Sequence, residues 1–95
     1  MEESEERVMR IEALEVKKVK PSFARTELGL TQRELGELAG LSHVTIIKSE
    51  SGDKEDTIRQ LTAHRIFNAL NKVRAAQGLH RLKFDEIDWN IQGNE

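Results

Sequence analysis

The side chains able to do acid–base or metal chemistry are scattered along this 95-residue chain. His43, His64 and His80 lie in no His-x-x-x-His spacing, so no single helix face brings two of them to one metal. Asp53, Glu55 and Asp56 form a charge run, but the glycine and glutamate pattern of an EF-hand loop does not follow, and the run reads as solvated loop. Asp85, Glu86 and Asp88 read as the acidic start of a helical turn, where the backbone dipole favours them, rather than as paired catalytic carboxylates. There is no Cys, so neither a thiolate metal site nor a disulfide frame is available. No nucleophile–base pair can be argued from spacing. The expectation is a protein that is not an enzyme and that has no metal and no cofactor.

Charge offers a different chemistry. The formal net charge is −2, which looks wrong for a partner of nucleic acid, but its distribution is uneven. Residues 1–16 carry two basic and six acidic side chains, and residues 84–95 carry four acidic and no basic ones. Residues 17–83 carry 13 basic and seven acidic ones. Such a basic middle can bind phosphate, while the acidic ends weaken non-specific affinity by like-charge repulsion.

The elements that must position these groups are helical. The length suits one domain with one modest core, and Leu, Ala, Glu, Lys and Arg dominate. Residues 1–20 read as an acidic extension. Within it Val8, Ile11 and Leu14 fit a helix, and a short strand before Pro21 is the lesser alternative. Residues 21–78 read as the main domain. A short helix is predicted over Ser22–Leu28, closed by Gly29. The next starts sharply: Thr31 is an N-cap, Glu34 closes a capping box, and Leu30 with Leu35 forms a staple. Leu35, Leu38 and Ala39 are its expected buried stripe, and Gly40 ends it. Ser42 caps the third helix, with Leu41 and Ile46 at staple spacing. Thr62 is the expected cap of a fourth helix whose buried face is Ile66, Ala69, Leu70 and Val73, ending at Gly78. Arg65, Lys72 and Arg74 on it either touch phosphate or form a solvated face. Residues 79–95 form a C-terminal segment that seals the core or makes a dimer. Trp89 lies in that interface or beneath it. No apolar run approaches the roughly 20 residues of a membrane span, and the acidic N-terminus is no signal peptide. The expected setting is cytoplasmic, of bacterial or phage type, at the nucleoid.

Two capped helices joined by a turn of about three residues around Gly40 make a helix-turn-helix. The second begins straight after the turn, so its first residues point outward, a geometry that suits the major groove. The N–H groups at the start of the first can hold a phosphate. Thr31–Gln32–Arg33–Glu34–Leu35, Ala39–Gly40–Leu41–Ser42, Thr45–Ile46, Glu50 and Gly52 together resemble the Cro/phage-repressor family, also called XRE-like. The resemblance covers about residues 22–77. It implies an all-α, compact bundle of four to five short helices containing a helix-turn-helix, the lambda-repressor-like DNA-binding domain, with extra N- and C-terminal segments. It also assigns roles. His43, Val44 and Lys48 match base-contacting positions. Thr31, Gln32, Arg33, Ser42, Thr45, Lys54 and Arg59 are the expected phosphate-contacting or supporting residues. Arg25 and Glu50 match a structural ion pair under the motif. There are departures: Ser49 stands where a large apolar residue is usual, and Gly36 where Ala is usual. The expected function is sequence-specific binding of double-stranded DNA as a transcriptional regulator, a repressor acting as a homodimer on a palindromic operator. The alternatives are an antitoxin-type operator binder whose ends bind a toxin (or an antirepressor), and a bridging protein that uses the helical core for protein contacts.

Overall fold

The structure, a computed structural model, describes residues 18–92. Val8, Ile11 and Leu14 therefore lie outside the described residues. Among the described residues four α-helices and one 3₁₀ turn follow in order: α1 Pro21–Thr26, α2 Gln32–Ala39, α3 His43–Ser49, α4 Gln60–Ala76, and the turn Phe84–Glu86. The all-α bundle expected from the helix signals is the fold found. None of these helices is long and apolar enough to cross a membrane.

The local signals act where their partners are close in sequence. Pro21 opens α1, where its missing N–H costs nothing. The Thr31 hydroxyl accepts from the Glu34 N–H at 3.0 Å, and the Glu34 carboxylate accepts from the Thr31 N–H at 2.8 Å, closing the capping box. Gly40 ends α2 in the left-handed region at φ 71°, which only glycine enters without strain. The turn then folds back tightly. Leu41 N–H donates to the Gly36 carbonyl at 2.8 Å, and a Cβ on Gly36 would meet the Leu41 carbonyl oxygen at 2.9 Å. Gly36 thus permits a backbone approach between α2 and the start of α3 that alanine would obstruct.

Leu35, Ile46, Ile66, Leu70 and Ile87 are fully buried, one or two from each of α2, α3, α4 and the C-terminal segment. Val19, Leu30, Leu41, Phe67, Val73, Phe84, Trp89 and Ile91 are half-buried around them. Residues 86–92 are woven into this core. Val19 pairs with Ile87, and Ile58 with Ile91, as two isolated parallel bridges. Val19 N–H donates to Glu86 O at 2.9 Å, Ile58 N–H to Asn90 O at 3.0 Å, and Gln92 N–H to Ile58 O at 2.7 Å. Trp89 stacks on Phe84 and donates its indole N–H to the Phe84 carbonyl at 2.9 Å.

Four expectations need correction. Leu38 is 55 % exposed: it sits one residue off the line of Leu35 and Ala39 that meets the core. Thr62 caps nothing, because α4 starts two residues earlier, after Arg59 in extended conformation. Ile58 is anchored in the core just before it, and that anchor sets where the helix begins. Arg74 neither faces solvent nor is free for phosphate. It is buried, donating to His80 O at 2.7 Å and pairing with Glu27 at 2.7 Å. α1 closes at Thr26, with Leu28 buried in the turn that follows.

Candidate nucleic-acid interface

The interface is built on the angle between α2 and α3, and a polar knot beneath holds that angle. Arg25 on α1 grips Glu50, just past α3, with a two-pronged pair: Nε to Oε2 at 2.7 Å and Nη2 to Oε1 at 3.0 Å. Its third donor, Nη1, reaches the Leu30 carbonyl at 2.8 Å. Gln32, the first residue of α2, donates its amide to the same Glu50 carboxylate at 3.0 Å. The Arg25 and Glu50 side chains are only 13 % and 5 % exposed. One carboxylate thereby ties α1, the start of α2 and the end of α3, and the forked geometry fixes orientation as well as distance.

Above this knot stands α3. Ser42 caps it, its hydroxyl accepting from Thr45 N–H at 3.2 Å, and the two hydroxyls lie 2.9 Å apart. Successive residues turn by about 100° around a helix. Ile46 and Ser49 point inward and are buried, and Ser49 donates its hydroxyl to Ile46 O at 2.7 Å. A small hydrogen-bonded side chain thus fills the place where an apolar one is usual. Opposite them, in order around the helix, come His43, Ile47, Val44 and Lys48. Val44 is 63 % and Ile47 42 % exposed. Lys48 is exposed and His43 half-buried.

The first N–H groups of α2, those of Gln32 and Arg33, leave the helix end without intrahelical acceptors. Arg33 is exposed beside them, and Glu34 is engaged in the cap. The geometry therefore brings His43, Val44 and Lys48 onto one outward arc, with Gln32 at its edge and the Arg25–Glu50 pair under it. Thr31, Ser42 and Thr45 are used in capping, so only their remaining lone pairs and hydroxyl hydrogens face outward. Lys54 and Arg59 stand exposed on the following loop. Asp53 shapes that loop by accepting from Glu55 N–H at 3.1 Å, and Asn90 clamps it from the C-terminal segment by donating to Asp53 O at 2.8 Å. Asp53, Glu55 and Asp56 surround Lys54 in sequence and offset its charge. Ile47 escaped the sequence reading. The signal was there, since a residue following the staple residue Ile46 must face about 100° away from the core.

Helix, tight glycine turn and outward second helix define a helix-turn-helix unit. The model of the family described as Helix-turn-helix matches residues 23–78, and the chain belongs to this family, in its XRE-type form. An uncharacterized HTH-type transcriptional regulator of Methanothermobacter thermautotrophicus is 46 % identical over 48 residues, which is 50 % of this chain and 67 % of that protein. No solved structure matches the chain.

Proposed function

We propose that the chain binds double-stranded DNA sequence-specifically and regulates transcription, as a repressor. The outward arc of α3, held at a fixed angle to α2 by the enclosed Arg25–Glu50–Gln32 knot, carries this reading. A single helix fits the major groove, about 12 Å wide, and His43, Val44 and Lys48 are then the residues at base edges. The N–H groups of Gln32 and Arg33 and the side chain of Arg33 take phosphates, which set register rather than sequence. A unit seated in the groove blocks other proteins from that site, and this is why repression is the proposed sign of regulation.

One such helix reads only a few base pairs, so the reading includes a two-fold dimer with its recognition helices about 34 Å apart on a palindromic operator. Phe84, Trp89 and Ile91 pack against the core and Ile87 is inside it, so Leu79 is the one large apolar side chain exposed in the described part of the C-terminal segment. We assign the dimer to Val8, Ile11 and Leu14, whose three-residue spacing suits one apolar helix face. Sedimentation of the full chain against the triple variant Val8→Asp, Ile11→Asp, Leu14→Asp tests it: a concentration-dependent dimer that the variant loses supports the assignment, and equal behaviour removes it.

DNA binding itself is tested by titrating a mixed-sequence duplex at several salt concentrations. The expected affinity falls linearly on a log–log plot, by a slope of about −0.9 per phosphate contact. Absence of duplex binding, together with salt-insensitive recovery of a protein partner, overturns the reading in favour of a bridging role.

A further inference from the structure

We propose that Ile47 joins Val44 in reading the 5-methyl groups of two thymines in each half-site, an inference that rests on the DNA-binding reading above. These two side chains occupy the middle of the outward arc of α3, 42 % and 63 % exposed, with His43 on one side and Lys48 on the other. Neither has a polar atom beyond its backbone, so neither makes a hydrogen bond to a base edge. The thymine methyl is the apolar group that base pairs present in the major groove. An apolar strip flanked by donors therefore matches thymines flanked by acceptors, with Lys48 placed for guanine O6 and N7.

The spacing supports a pair of methyls rather than one. Residues three apart on a helix have Cβ atoms about 5–6 Å apart. Base pairs stack about 3.4 Å apart, so the two side chains meet methyls one to two steps from each other. Both residues are β-branched and hold one preferred χ1 in a helix, so little rotamer freedom is lost on contact. The other large apolar side chains exposed among the described residues, Phe23, Leu38, Leu61 and Leu79, lie outside α3 and this arc.

The test begins with selection of bound duplexes from a random pool by the full-length protein. Each thymine of the enriched half-site is then replaced by uracil, which deletes the methyl and keeps the hydrogen-bonding edge. The expected result is a loss of about fourfold per contacted methyl, the equivalent of about 0.8 kcal/mol, at two positions no more than two steps apart. Ile47→Ala should erase the discrimination at one of them and Val44→Ala at the other, with far-UV circular dichroism unchanged because both side chains are on the surface. An enriched duplex bound equally with thymine or uracil, or an Ile47→Ala variant that discriminates as the parent does, overturns the methyl pair and leaves DNA binding standing. A pool that yields no enriched duplex overturns the DNA-binding reading itself, and this inference with it.

Discussion

Replacing Arg25 by alanine removes three hydrogen bonds at once, two to Glu50 at 2.7 and 3.0 Å and one to Leu30 O at 2.8 Å. What stays behind matters more than what is lost. The Glu50 side chain is 5 % exposed and keeps only the Gln32 amide at 3.0 Å, so it cannot regain the hydration it had in the unfolded chain. Breaking a buried ion pair from one side costs roughly 3–5 kcal/mol. The retained Gln32 bond and the 13 % exposure of Arg25 place Arg25→Ala at the lower end, about 3 kcal/mol. A chain of this size has about 5–14 kcal/mol in total, so the variant should fold, with a midpoint lowered by roughly 12–24 °C. The double variant Arg25→Met, Glu50→Leu removes both charges and should recover most of the loss. Thermal and urea unfolding followed by circular dichroism, with parent, both single variants and the double, completes the cycle. A single variant costing less than about 1 kcal/mol, or a double no more stable than the singles, would refute the claim that this pair is an enclosed, mutually dependent unit.

Three further outcomes follow from the same contacts. Lys48→Ala and His43→Ala should weaken selected operators by about 1–3 kcal/mol each and mixed-sequence DNA far less; Gln32→Ala keeps the backbone N–H assigned to phosphate but loses the side-chain bond to Glu50, so it should lower stability and, by loosening the angle between α2 and α3, weaken both duplexes alike. Anisotropy titrations on the two duplexes distinguish these patterns, and an equal loss on both for Lys48→Ala removes it from base reading. Asn71→Ala should cost about 2–4 kcal/mol in urea unfolding, because the buried Asn71 amide is partner to both backbone groups of Leu82, at 3.0 and 2.9 Å; a near-neutral result would mean that water replaces it. Gly36→Ala gains about 1 kcal/mol of helix propensity, but its Cβ meets a backbone oxygen at 2.9 Å. Net destabilisation of about 1 kcal/mol is expected, and a more stable variant in thermal unfolding would show that the turn yields.

What could be seen in the sequence divides by distance. Caps were legible because both members lie within three residues: Thr31 with Glu34, Ser42 with Thr45. The two α-helices that form the outward unit followed from them. Leu38 was misplaced because spacing alone cannot say whether a buried stripe is centred on Leu35 or on the residue between Leu35 and Ala39. Thr62 had a capping side chain, but the start of α4 is set by Ile58, whose partners Asn90 and Gln92 lie more than thirty residues away. Asn71 carries no signal in the sequence, and Arg74 reads there as a phosphate contact or a solvated residue. Asn71 bonds both backbone groups of Leu82, and Arg74 bonds the His80 carbonyl and the Glu27 carboxylate 47 residues away; no local side-chain pattern announces such partners. Ile47 was open to view in principle, but an apolar residue beside the core-facing Ile46 is easily counted with it.

The weaving of residues 86–92 between Val19 and Ile58 bears on how the protein is made. On the ribosome, every helix of the DNA-facing unit is synthesised before Ile87 exists. Until residues up to 91 have left the exit tunnel, Val19 and Ile58 have no bridge partners, and the hollow that Ile87 fills is open. The nascent chain must therefore hold helices with an incomplete interior until residues 86–92 act as the closing stitch. A chain truncated after Glu86 and released from the ribosome should be cut by proteases between α3 and α4, where Asn90 is missing from the loop it clamps.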